Sequence, residues 1–359
     1  MRMEYKRNFD HALARLKDFS ARKMEDQILA ALSVPNTKPS ATAIEFEEGE
    51  VSYPDPDFLF DLTDAELASN ADVEDDCIPY TCLNMFDQGI YAAGLGGAIR
   101  FLQGKTGHVS SMSEPLVSSI EEAATLTFDP NNEWLQEFRQ VAKRWAERAH
   151  GKFAMAALVT IDALNFIAEV RGATEALMDL MLKRDICERI MTFALDYNVA
   201  IAQMQHEVFE HFDGGSALFR GIWGPGHGVF SSVDAYHLCS SDIFEEAGRE
   251  YVQELYDRTG HSILHVHGNG WHLLDHVRSL KNLAAITLMQ DLKGERPFDH
   301  IVDLKKRVGD VPLCVGCTWT ELCDGLKHHT LPGGVRYGAA APSIEEANRA
   351  MKEVRAYRW

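Results

Sequence analysis

Short apolar runs separated by long amphipathic stretches are what most constrain this chain. The pattern predicts strands near Ile78–Leu83, His108–Met112, Ala154–Thr160, Ser216–Ile222, Ile263–His267, Ala284–Met289, Pro312–Cys317 and Gly334–Tyr337. Helical periodicity fills most of the gaps. Trp134, Phe138, Val141 and Trp145 lie on one stripe of 133–149, 175–211 is long enough for two helices, and Phe244, Ala247, Tyr251 and Leu255 mark 242–257. Strands separated by helices pair in parallel through crossovers. Eight such units in 359 residues predict an α/β fold of the (β/α)8 TIM-barrel type, with a doubly wound open sheet as the alternative.

Ahead of these units, Phe9, Leu13, Leu16, Phe19, Met24, Ile28 and Leu32 recur at roughly helical spacing until Pro35 closes the pattern. Residues 1–75 are therefore expected to form a helical and acidic extension packed on a barrel of residues 76–359. Acidity concentrates in one place: between Ser40 and Ile99 there are 14 Asp and Glu residues and no Lys, Arg or His. The whole chain has 35 basic and 54 acidic residues, a formal charge of −19, which argues against nucleic-acid or anionic-membrane partners. No apolar stretch follows the N-terminus, and no run approaches the ~20 residues needed to span a bilayer. Seven scattered cysteines suit a reducing compartment, so a soluble cytoplasmic protein is expected. Neither Gly-x-Gly-x-x-Gly, a phosphate-binding loop, nor Gly-x-Ser-x-Gly occurs.

The most informative segment is Ser262-Ile263-Leu264-His265-Val266-His267-Gly268-Asn269-Gly270. In a strand, positions i and i+2 face the same side, so His265 and His267 project together just before a glycine turn. Two imidazoles at the C-terminal end of a strand can share a divalent metal such as Zn2+, which needs about four ligands; two structural histidines are the alternative. Asp291 and Cys317 end neighbouring predicted strands and are further ligand candidates, with Gln290 beside them as a substrate contact. His272 and His276 also have ligand spacing. Trp223 and His227, in a Gly- and Pro-rich loop, either line a substrate pocket or belong to a structured loop whose Trp plugs the core. Glu207, Asp213 and Asp234 are candidate acids, and carboxylates of this kind are more often surface or capping groups.

Leu264-His265-Val266-His267-Gly268-Asn269, together with 231–234, 239–244 and 164–172, resembles the uroporphyrinogen decarboxylase superfamily over about residues 75–350. That superfamily includes corrinoid-linked methyltransferases. The resemblance implies a TIM barrel with its site at the C-terminal strand ends. In the methyltransferases a His-x-Cys-Gly-Asn motif and a later Cys bind zinc. Here His265 matches the first position, His267 replaces the Cys, and Tyr337 stands near the later Cys.

The function implied is methyl transfer between a small substrate or thiol acceptor and a corrinoid carried by a partner protein. His265, His267, Asp291 and Cys317 would be metal ligands, Asp291 alternatively a general base. Tyr337 would be a hydrogen-bond donor and Asn269 an orienting group. A homodimer is compatible with this reading. The base-free stretch disfavours a polycarboxylate porphyrinogen and predicts a small neutral or cationic substrate. A decarboxylase or lyase acting on a smaller substrate, and a non-catalytic binding barrel, are the alternatives.

Overall fold

A computed structural model describes residues 3–35, 47–291 and 293–359. The start of the acidic stretch, residues 40–46 with Glu45, lies outside the described residues. The central element is a seven-stranded parallel sheet of TIM-like architecture. Its order is Leu29–Ser33, Val335–Ala340, Leu313–Gly316, Leu283–Leu288, Ser262–Val266, Phe230–Ser231 and Val159–Thr160. The first of these strands in the chain thus pairs with the last, Leu29 opposite Arg336 and Ser33 opposite Ala340.

A second parallel pair, Tyr80–Thr81 with Ala154–Met155, adjoins this sheet through the continuous stretch that leads from Met155 to Val159. Between Tyr80–Thr81 and Leu29–Ser33 two carboxylates replace the ladder. Asp76 N–H donates to the Ala30 carbonyl at 2.9 Å, Asp76 Oδ2 accepts from Ala30 N–H at 3.2 Å, and Asp75 Oδ2 accepts from Leu32 N–H at 2.6 Å. Both carboxylates are buried and matched by cations, Asp75 by Lys6 and Asp76 by Arg15, whose Nε is 2.8 Å away.

Residues 3–35 contain one helix, Phe9–Ser20, and then the sheet strand Leu29–Ser33, where the spacing up to Pro35 predicts a helical region. Ile28, Leu29, Ala30, Ala31 and Leu32 form an unbroken apolar run, which suits a strand covered on both faces better than an amphipathic helix. Two predicted strands lie elsewhere than expected. Val109–Ser113 is antiparallel to Ile99–Gln103 in a separate three-stranded sheet. Gly215–Leu218 forms an antiparallel hairpin with Ile222–Pro225, turned through Arg220 and Gly221, both at φ 65°. The neighbouring sheet strand is Phe230–Ser231, two residues long and too short to leave a periodicity. The 242–257 stretch is two helices, Ser241–Ala247 and Arg249–Thr259, broken at Gly248, where a Cβ would sit 2.6 Å from the Tyr236 ring.

The hairpin is mostly buried and runs from one edge of the sheet to the other. At its base, Gly226 N–H donates to Gly214 and His227 N–H to Thr259, just before strand Ser262–Val266 begins. At its tip, Gly221 accepts from Ile78 N–H, Phe219 stacks on Phe230 at 4.0 Å, and Arg220 Nη2 is 3.6 Å from Met289 Sδ, just beyond strand Leu283–Leu288. Among the described residues, no helix is long and apolar enough to cross a membrane.

Removing one partner of a buried ion pair leaves the other charge uncompensated. Asp76→Ala strands Arg15 and the Ala30 N–H, and is expected to cost about 3–5 kcal/mol in denaturant unfolding. Asp57→Ala, at a half-exposed ion pair with Arg148, is expected to cost less than about 1 kcal/mol.

Candidate functional site

Every residue of strand Ser262–Val266 is buried, and the two-residue alternation brings His265 and His267 to one face at the strand's C-terminal end. Their ring centroids are 5.2 Å apart and the rings nearly perpendicular, at 84°. Asp234 comes from the adjacent short strand: the chain leaves Phe230–Ser231 and enters a 3-10 turn, Asp234–Leu238. Its carboxylate oxygens lie 3.0 and 3.1 Å from His265 Nε2, and one lies 3.9 Å from His267 Nε2. One donor atom from each of Asp234, His265 and His267 falls within 4.8 Å of the others.

Asp291 lies on the far side of the His267 ring, with its Oδ1 2.6 Å from Nδ1 and its other oxygen accepting from Gly268 N–H at 3.3 Å. It therefore orients the imidazole from behind. His237 closes the cluster, with Nδ1 3.6 Å from Asp234, and packs so tightly on Gly270 that a Cβ there would lie 2.3 Å from its ring.

Burial alone would raise the Asp234 carboxyl, but the hydrogen bond from His265 and the charges of His265, His237 and His267 hold it below the usual carboxylate range. Burial pushes His237 down to about 4 despite the opposing charge of Asp234. The neighbouring acids go the other way. Burial raises Asp162 to about 7, against the N–H groups of Asn165 and Leu164, and raises Glu169 and Asp87 each to about 6. One edge of the sheet therefore holds an ionised carboxylate among imidazoles beside carboxyl groups whose proton affinity is raised, Asp162 furthest, a division typical of sites that handle protons.

The other predicted site residues are scattered. Tyr337 is fully buried on the opposite strand face from Arg336, against Phe298, and its hydroxyl donates to the Pro332 carbonyl at 3.2 Å. It does not reach the imidazoles. Cys317 lies in the wall of a neighbouring cavity, and burial pushes its thiol up to about 12. Asn269 and Gln290 are exposed. His272 is bonded to the carbonyls of Cys239 and Asn269, and His276 to Glu245.

Trp223 and His227 lie toward the hairpin base. Trp223 is buried, with Nε1 donating to Phe212 at 3.2 Å and Lys17 over its ring at 5.3 Å, which is the core plug. Asp213 pairs with Lys17, and Glu207 follows the end of helix Arg184–His206. Of the three candidate acids, only Asp234 reaches the histidines.

The cavity beside this cluster measures about 470 Å³ and is lined by Cys77, Tyr80, Arg220, Cys314, Cys317 and Arg336, among others. Arg336 is 3 % exposed, donates from Nε to the Asp76 carbonyl at 3.3 Å, and among the described residues has no carboxylate within ion-pair distance. Burial keeps Cys77 and Cys314 above the usual thiol range, so they leave its charge standing. Phe219 and Phe230, stacked at 4.0 Å, stand between cavity and cluster, and Phe230 also meets the His265 ring at 5.0 Å. The composition of 40–99 offers no base for such a cavity; the fold supplies them from positions 220 and 336. No linear motif marks either arginine.

The fold is similar to that of a methyltransferase from Methanosarcina mazei, with a TM-score of 0.63 and 13% identity over 96% of this chain and 98% of that one. No family model and no curated protein matches the sequence.

Asp162 provides a pH test independent of any ligand. Because its folded-state pKa is raised above the unfolded value, its stabilising contribution is present at acid pH and is lost as pH rises through about 7. Asp162→Asn keeps the acceptor for Leu164 and Asn165 N–H. It should be near neutral at pH 3.5, below the unfolded-state value, and stabilise by on the order of 1–3 kcal/mol at pH 8, read from urea unfolding at both pH values.

Proposed function

We propose that the protein is a metal-dependent methyltransferase of the uroporphyrinogen decarboxylase superfamily, acting with a corrinoid carried by a partner protein. The convergence of Asp234, His265 and His267 at the C-terminal ends of adjacent parallel strands carries this reading. It takes the fold as a closed eight-stranded barrel, with the Asp75 and Asp76 carboxylates bridging the seam, and barrel enzymes place their chemistry at this end. The similarity to a methyltransferase in fold is compatible with it.

Two imidazole nitrogens and one carboxylate suit a Zn2+ ion with one position left for substrate, and Asp291 gives His267 the outer partner that metal-bound imidazoles use. Bound there, the ion would polarise a substrate oxygen or favour a substrate thiolate near neutral pH. The remaining roles belong to the chain. Asp162 holds a proton close to the cluster, while Phe219 and Phe230 keep water from the side facing the cavity. Arg336 and Arg220 hold a negative group of the substrate, so the substrate is anionic, in place of the neutral or cationic one expected from residues 40–99.

Loss of one equivalent of Zn2+ in both His265→Ala and His267→Ala is the expected result of metal analysis. Asp291→Asn should weaken metal binding by about 10–100-fold. Cob(I)alamin and a panel of small methylated compounds with and without a carboxylate or sulfonate should show transfer only with metal bound. Arg336→Met should raise KM for the anionic members by roughly 10–100-fold, the equivalent of about 1.5–3 kcal/mol, and leave the others unchanged. The two arginines equally suit a decarboxylase holding a carboxylate. Carbon dioxide release by the metal-free protein, without methylation of the corrinoid, would replace the methyltransferase reading with that one.

A further inference from the structure

Three imidazoles gather at the other end of the sheet. His206 ends helix Arg184–His206, His211 follows in the connecting loop, and His227 lies at the hairpin base, before strand Phe230–Ser231 begins. His227 N–H donates to Thr259, which precedes strand Ser262–Val266, so this group sits at the N-terminal edge of strands whose C-terminal edge carries Asp234, His265 and His267. Ring centroids are 5.3 Å apart for His206 and His211, 5.0 Å for His206 and His227, and 4.2 Å for His211 and His227. One nitrogen from each of the three lies within 4.8 Å of the others.

The hydrogen bonding shows which nitrogens are free. His206 is 7 % exposed, the Gly228 backbone stands beside its ring, and at least one ring nitrogen is left without a hydrogen-bond partner, a costly state for a buried imidazole. His211 Nε2 lies 3.0 Å from the His206 carbonyl. A carbonyl only accepts, so Nε2 carries the proton and Nδ1 holds the lone pair. That Nδ1 is itself buried without a partner. A carbonyl behind one nitrogen and a free lone pair on the other is the arrangement of a metal-bound histidine. His227 is exposed, and its ring stacks against both of the others.

We propose that His206, His211 and His227 form a second metal site, for Zn2+ or a similar imidazole-preferring divalent ion, separate from the catalytic edge. Three neutral imidazoles with water in the fourth position satisfy Zn2+, and the stacked outer rings tilt out of their near-parallel arrangement to bring their nitrogens onto it. The ion ties the end of a 23-residue helix to the base of the buried hairpin, whose tip carries Arg220. Its role is to brace the hairpin.

The test uses the full chain and Co2+ as the probe, with Zn2+ as competitor. In the His265→Ala/His267→Ala double variant, which removes ligands of the catalytic edge, one Co2+ per chain with the visible absorption of a four-coordinate site is expected, together with a higher melting temperature on adding Zn2+. Adding His227→Ala, an exposed position where folding should persist, should weaken Co2+ binding by roughly 100-fold or more, above the effect of losing an outer hydrogen-bond partner. In the chain with both sites intact, His227→Ala should remove one of two bound equivalents and leave the other. A double variant that folds but binds no Co2+, or affinity unmoved by His227→Ala and His211→Ala, would overturn the proposal. Failure of the methyltransferase reading would show differently, as metal content unchanged between the unmodified chain and the His265→Ala/His267→Ala variant.

Discussion

Asp75 and Asp76 accept backbone N–H groups of the first sheet strand from inside the protein, at a seam where no strand ladder runs. A carboxylate can do this only if its charge is compensated, because an unpaired buried charge costs several kcal/mol. Lys6 and Arg15, one just ahead of the first helix and one on it, supply the compensation. The N-terminal segment is thereby bound into the sheet. The same corner serves the cavity, since the Asp76 carbonyl accepts from buried Arg336.

The sheet's C-terminal edge carries two charged groups of opposite sign on either side of an aromatic pair. Asp234 stays ionised among imidazoles on one side; on the other, Arg336 faces a cavity whose wall also holds Asp75, already paired with Lys6, and among the described residues no carboxylate lies within ion-pair distance of the guanidinium. The stacked Phe219 and Phe230 rings stand between them, Phe219 brought there by a hairpin that starts at the opposite edge and Phe230 by its sheet strand. An apolar partition lowers the local dielectric, which strengthens every charge interaction on either side. It also explains why the hairpin is buried: its apolar residues fill the interior, and its tip turns through residues at positive φ to leave Arg220 at the cavity.

Much of this was legible residue by residue. His265 and His267 are two apart in a strand, and period two alone puts them on one face. Asp291 was legible as a neighbour but not in its role, because a sequence position does not say which ring nitrogen a carboxylate will meet. Strand Leu29–Ser33 was hidden because four or five apolar residues in a row carry neither a period of two nor one of 3.6. Cys317 was placed by the end of its predicted strand and Tyr337 by the resemblance, whereas the alternation of Val335–Ala340 turns Arg336 toward the cavity and Tyr337 to the other buried face.

By itself the sequence determined the α/β class, the paired imidazoles on one strand face, and a strong net acidity, because each depends on local periodicity or simple counting. Tertiary structure alone decided that Asp234 completes the imidazole pair, that arginines from positions 220 and 336 share a cavity, and that His206, His211 and His227 meet at the far edge. These groups come from separate elements, and their proximity is set by parallel pairing and by one buried hairpin. No pattern along the chain encodes such distances, because they arise only when the sheet curls and its strands choose their neighbours.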